Sequence, residues 1–151
     1  MATCVLVHGS WGGGWVWDRL RPLLESAGHR VLTPTLTGLA ERRELSSPGV
    51  GLSVHARDSA ELLESEGVRD AILVGHSCGG MVITGAAALA PGRIGQVVYA
   101  DAFAPVTGES AFAMLPWLRQ AFADLPGPAE WQVAPIAPGG ARRGRGRDGL
   151  A

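Results

Sequence analysis

The sequence predicts an α/β protein, a three-layer sandwich with helices on both faces of a mainly parallel sheet of about four strands. Three observations predict it. Four short apolar runs (Cys4–Val7, Arg30–Thr33, Ala71–Val74 and Gln96–Ala100) are bounded by Gly, Pro or polar residues, as strands buried on both faces are. Helical patterns separate these runs, and strands alternating with helices mean parallel pairing through crossovers. The residues able to carry chemistry, His8-Gly9-Ser10, Pro34-Thr35, Ser77 and Asp101, fall at the carboxyl ends of the runs. A parallel sheet presents its functional groups at those ends.

The elements follow in order. After the first run, Trp17, Leu20, Leu23 and Leu24 recur at helical spacing, and Gly28 supplies a stop signal. Residues 34–52 are a long Thr-, Gly-, Ser- and Pro-rich connection with Glu41, Arg42, Arg43 and Glu44 inside it, read as a solvated charged loop. Val54–Glu66 reads as a helix with Ser53 as its N-cap. Met81–Leu89 is a helix of small residues that ends before Pro91-Gly92. In residues 103–131 the large side chains of Phe103, Phe112, Met114, Leu115, Trp117, Phe122 and Trp131 are interspersed with prolines, a pattern that fits a lid-like segment and equally fits ordinary core packing. From Pro138 the composition shifts to Arg, Gly, Ala and Pro, which cannot offset the entropy of folding, so 138–151 is expected to be a disordered Arg/Gly-rich tail. The domain is therefore expected over 1–137.

Composition narrows the function. A chain of 151 residues with 46% hydrophobic residues has the size and apolar content of one globular domain. A formal net charge of −1 gives no pull toward nucleic acid or an anionic membrane, so neither is expected as a partner. Cys4 and Cys78 lie in unrelated contexts without metal-ligand spacing, and read as free thiols with no metal site. The start of the chain carries no secretory pattern and no stretch reaches the length of a membrane span, so a soluble, cytoplasmic protein is expected. Gly12, Gly13 and Gly14 follow the first strand, but position 17 is Trp17 and no Gly-Lys-Ser/Thr exists. The phosphate-cradling patterns therefore fail, and no nucleotide or other cofactor is expected.

The chemistry centres on Gly75-His76-Ser77-Cys78-Gly79-Gly80, set between the apolar run Ala71–Val74 and the apolar start of the next helix. A serine hydroxyl is a poor nucleophile at neutral pH, and a sharp strand-to-helix turn solves its access problem. Glycines two residues to either side let strand and helix approach, and Gly75 and Gly79 occupy those places. The amide of Cys78, at the amino end of the helix, would face an oxyanion formed on attack. In a chain with 22 glycines the pentapeptide alone is weak, and its setting gives it weight. Against this stands one fact: no histidine follows His76, whereas this scaffold orders its triad as Ser, then Asp or Glu, then His.

Residues 3 to about 110 resemble the N-terminal half of an α/β-hydrolase, in particular the small esterases of the plant methylesterase and hydroxynitrile lyase-like group. The resemblance is carried by Val5-Leu6-Val7-His8-Gly9-Ser10-Trp11 with Trp15 and Trp17, and by Thr33-Pro34-Thr35-Leu36-Thr37-Gly38-Leu39-Ala40-Glu41-Arg42. Leu73-Val74-Gly75-His76-Ser77-Cys78-Gly79-Gly80 and Val98-Tyr99-Ala100-Asp101-Ala102-Phe103 complete it. It implies a partial α/β-hydrolase fold, Ser77 as nucleophile, and the amides of Ser10 and Cys78 as the oxyanion hole. Some members of the family place their acid where Asp101 stands, which makes Asp101 a candidate acid; the same residue also reads as a turn or N-cap aspartate. The lyase branch is not expected, since Gly9 stands where that branch uses a hydroxyl side chain and the chain has no lysine.

The family continues past the lid into strands bearing the acid and the histidine. Together with the compositional shift after residue 137, this leads to the expectation of a truncated gene product. Its four histidines are read as structural: His8 and His76 as positional, His29 in a turn, His55 on an exposed helix side. Asp18 and Asp58 are read as helix-surface carboxylates. The expected function is that of a carboxylesterase-type serine hydrolase of small apolar-acyl esters, weak or inactive as this chain. The alternatives are a non-catalytic ligand-binding pseudoenzyme, or a fragment completed by another chain. A fourth strand without neighbours would expose an apolar edge, so self-association through the sheet edge is expected as well.

Overall fold

A computed structural model describes residues 1–135; the tail expected over 138–151 lies outside them. Four strands form one sheet: β1 (Thr3–Val7), β2 (Arg30–Leu32), β3 (Ala71–Ser77) and β4 (Ile94–Ala102). Their order is β2-β1-β3-β4 and every pairing is parallel, which confirms the expected fold class. The helices α1 (Arg21–Ser26), α2 (Leu52–Ser65) and α3 (Gly79–Leu89) make the crossovers, and α4 (Ala111–Met114) and α5 (Trp117–Ala123) follow the sheet.

The three layers follow from the two-residue period of the strands. Val5 and Val7 of β1 and Ala71 and Leu73 of β3 face one way, into a core with Leu63 of α2 and Val82, Ile83 and Ala86 of α3. The alternate residues Cys4 and Leu6, with Val31, Ile72 and Val74, face the other way, against Trp17 and Leu24. Both faces of β1 are covered, so its run carries no polar alternation. β3 outlasts its apolar run by three residues and delivers Ser77 to the end of the sheet.

Several local expectations are corrected. The helical spacing over Trp17–Leu24 splits into a 3-10 turn, Gly14–Trp17, and α1, which restarts with Pro22 in its first turn, where a missing N–H costs nothing. α2 begins at Leu52 with Gly51 at its N-cap, so Ser53 lies inside the first turn and caps nothing. Residues 40–45 of the long connection form a 3-10 helix, and two of the loop's four charges are tied down. The Thr35 hydroxyl hydrogen-bonds Glu41, and Arg42 Nη1 donates to the Thr35 carbonyl at 2.8 Å.

Asp58 and His55 are corrected for the same reason. Asp58 accepts from the Thr37 amide (2.8 Å) and hydroxyl (3.0 Å), and His55 Nε2 donates to the Thr37 carbonyl at 2.8 Å. Both side chains moor the loop to α2. Asp18 is exposed, as expected.

Candidate active site

Ser77 is the last residue of β3, and its φ of +53° lies in the left-handed region that costs an L side chain roughly 1–3 kcal/mol. The surroundings enforce this conformation. A Cβ on Gly75 would stand 2.6 Å from the Gly79 carbonyl oxygen, and one on Gly79 would stand 2.6 Å from the His8 carbonyl oxygen. Strand, elbow and the loop after β1 thus meet at backbone contact, which only glycine permits. On the far side, the Phe103 amide donates to the Ser77 carbonyl at 3.0 Å and joins the elbow to the end of β4.

The loop after β1 comes up against this turn. A Cβ on Gly9 would meet Ser77 Cβ at 2.8 Å, and the Ser10 hydroxyl lies 2.7 Å from Cys78 Sγ. Among the described residues, neither the Ser10 nor the Cys78 amide donates to a protein acceptor. Two unspent N–H groups on neighbouring loops beside a serine are the elements of an anion-stabilising pair.

The histidines fall elsewhere. His8 is fully buried: its Nε2 accepts from the Leu36 amide at 3.1 Å, so its Nδ1 carries the hydrogen and donates to the Gly9 carbonyl at 2.7 Å. Both ring nitrogens are committed to holding the loops after β1 and β2. Burial pushes its pKa below the ordinary histidine value; the Gly9 hydrogen bond opposes this less strongly. The strand period sends His76 to the face of Ile72 and Val74, edge-on to Trp17 with ring centroids 6.4 Å apart. His29 Nδ1 accepts from the Ala2 amide at 3.3 Å, far along the chain from Ser77. Glu41 is exposed, and its carboxyl is held below the usual carboxylate range chiefly by its hydrogen bond from Thr35.

Ser77 and Asp101 open into one cavity of about 520 Å³, and Cys78 and Ser10 line it too. Asp101 has φ +47° and is exposed; a register shift in the β3–β4 pairing sets Ser77 opposite Ala102. The roof comes from the 103–131 segment: Phe103, Met114, Leu115, Trp117, Leu118 and Phe122. Leu118 is buried, and Phe122 packs edge-on to both Trp11 and Phe112, with centroids 6.0 and 5.7 Å apart. No histidine lines this cavity. Trp11 was legible only as a member of the β1 loop motif. The structure gives it a larger part: its φ is +58° and its Nε1 donates to the Val133 carbonyl at 2.9 Å, tying the loop after β1 to the stretch that follows the roof.

No cluster of His, Cys, Asp or Glu among the described residues could hold a metal ion, and no described helix is long and apolar enough to cross a membrane. Cys4 and Cys78 are free thiols.

The chain is similar to several known proteins. A carbendazim-hydrolysing esterase of Nocardioides sp. (strain SG-4G) is 52% identical over 116 residues, 77% of this chain and 48% of the esterase. Methylesterase 9 of Arabidopsis thaliana is 38% identical over 108 residues, 71% of this chain and 42% of the relative. Among solved structures, an extracellular α/β-hydrolase from a Paenibacillus species superposes with a TM-score of 0.75 at 32% identity, covering 83% of this chain and 51% of that one. The chain spans about half the length of the curated relatives it matches. The sequence profile of the alpha/beta hydrolase family matches residues 4–149, further than the motifs alone reach. By that match over nearly its whole length, the chain belongs to the α/β-hydrolase family.

Proposed function

We propose that this chain carries the nucleophile half of an esterase-type serine hydrolase acting on small esters with apolar groups. The observation that carries the reading is the elbow: Ser77 at φ +53°, held against Gly9, Gly75 and Gly79 and open to a cavity. In this reading Ser77 Oγ attacks the ester carbonyl, and the Ser10 and Cys78 amides stabilise the oxyanion of the tetrahedral intermediate. Asp101, on the neighbouring strand end, is the candidate acid that would orient a base. The base itself is not one of the four histidines. His8 has spent both nitrogens, and His29, His55 and His76 do not line the Ser77 cavity. None of the four histidines is thus placed to serve as the base, and in this reading catalysis by these 151 residues is weak. What remains would rest on the oxyanion hole and binding, a small part of the full effect.

A fluorophosphonate probe tests the proposal. Slow covalent labelling at Ser77, abolished in Ser77→Ala, together with slow turnover of a p-nitrophenyl ester, is the expected result. A second reading, an apolar ligand-binding protein without catalysis, is favoured by the absence of any histidine from the lining of the cavity. Failure of the probe to label Ser77 in folded protein would overturn the first reading and support the second.

A further inference from the structure

A second cavity adjoins the first. It has a volume of about 680 Å³ and lies between the loop after β1, the 36–50 connection and residues 128–135. The two cavities share four lining residues, Ser10, Trp11, Cys78 and Phe122. Those four are also in contact as pairs: Ser10 Oγ with Cys78 Sγ at 2.7 Å, and the Trp11 ring edge-on to Phe122. They form a low sill between two chambers, and the unspent amides of Ser10 and Cys78 belong to the sill itself.

The second chamber is lined mainly by apolar side chains, including Leu36, Leu39, Val50, Val82 and Trp131, and among the described residues no Asp, Glu or Arg lines it. The ring nitrogens of His8 that bear on hydrogen bonding are occupied, and His55 Nε2 is given to the Thr37 carbonyl. An apolar chamber without a free charge rejects an ionised group, which would lose hydration without gaining a partner. It accepts a ring-sized apolar group, whose burial is favourable in proportion to area.

We infer that the two chambers are the two halves of one substrate site. The substrate class is an uncharged ester with an apolar, ring-sized group on each side of the carbonyl, one group in each chamber and the carbonyl at the sill. This rests on the reading of Ser77 and the two amides given above, and adds to it a specificity that the Ser77 cavity alone does not supply. Val50 and Ser46 line only the second chamber, so they determine acceptance of the second group without touching the first.

Binding in the Ser77→Ala background tests this independently of catalysis. Acetophenone, with one ring, and deoxybenzoin, with a ring on each side of a ketone, stand in for the ester and cannot be hydrolysed. Deoxybenzoin should bind at least about tenfold more tightly than acetophenone by calorimetry, the gain expected from burying a second ring. Val50→Trp, which fills the second chamber, should remove that advantage and bring the deoxybenzoin-to-acetophenone affinity ratio toward one. Ser46→Phe serves the same purpose should Val50→Trp fail to fold. A carboxylate on the second ring should also remove the advantage. An unchanged deoxybenzoin-to-acetophenone ratio in the folded filled variants overturns the inference, as does failure of either ketone to bind. Labelling of Ser77 in the unmutated protein by the fluorophosphonate reports separately on the catalytic reading, so either can fail alone.

Discussion

At the scale of single residues, Ser77 holds a conformation that its own chemistry disfavours. The left-handed φ at an L residue is a local cost that the surrounding glycine contacts impose. Ser77→Gly should therefore raise stability by about 1 kcal/mol in denaturant unfolding while eliminating labelling, an exchange of stability for function. Gly75→Ala should do the opposite. Its methyl would sit 2.6 Å from the Gly79 carbonyl oxygen, which is backbone and cannot swing aside. A loss of about 2 kcal/mol or more is expected, and a melting temperature equal to the unmutated protein's would show that the elbow is looser than described.

His8 supplies a pH dependence whose sign is fixed by its surroundings. Burial lowers its folded-state pKa, and the Leu36 N–H donating to Nε2 requires the neutral ring. The unfolded chain takes up a proton near the ordinary histidine value of about 6.5, so between the two values the unfolded state binds more protons. The stabilising contribution of His8 is thus fully present above about pH 6.5 and is lost as pH falls from there through the folded pKa. Urea midpoints at pH 7.5 and 5.5 should differ less for His8→Gln than for the unmutated chain. Nothing in the sequence distinguished His8 from a catalytic histidine except its place in a motif. Of the two hydrogen bonds that disqualify it, one goes to the next residue, Gly9, but the other comes from Leu36, 28 positions away, and a partner at that separation leaves no local pattern.

At the scale of elements, the sequence was readable where one force dominated. The strands betray themselves because both sheet faces are buried, so that Cys4–Val7 and Ala71–Val74 are apolar without interruption. The elbow is readable because strand, turn and helix are consecutive in the chain. The 36–58 region was not, because its order comes from side-chain bonds across the sequence. Thr37 binds Asp58 twice and His55 once, and a run of Thr, Gly and charged residues looks the same whether or not such partners exist.

The loop therefore answers to Asp58. Asp58→Ala should cost about 2 kcal/mol, the range for hydrogen bonds to a partly buried charged acceptor, and should raise hydrogen exchange at the Thr37 amide. Asp18→Ala, on an exposed carboxylate, should stay within about 0.5 kcal/mol. Equal effects of the two would return Asp58 to the helix surface.

At the scale of the whole molecule, the asymmetry of the sheet is the dominant fact. Among the described residues β2 and β4 are its edges; β2 is three residues long, whereas β4 runs for nine. Short edges resist pairing with other chains, and long, weakly charged ones invite it. Along β4 from Ile94 to Ala102, Asp101 at the far end is the sole charge, and Tyr99 is 40% exposed. We propose that the chain self-associates through this edge. Sedimentation velocity at increasing concentration should show a rising weight-average mass, and Gln96→Lys with Tyr99→Lys should return it toward the monomer by placing like charges on facing strands. The unmutated chain remaining monomeric at high concentration would sink the proposal, and association unaffected by the two lysines would move it to another surface.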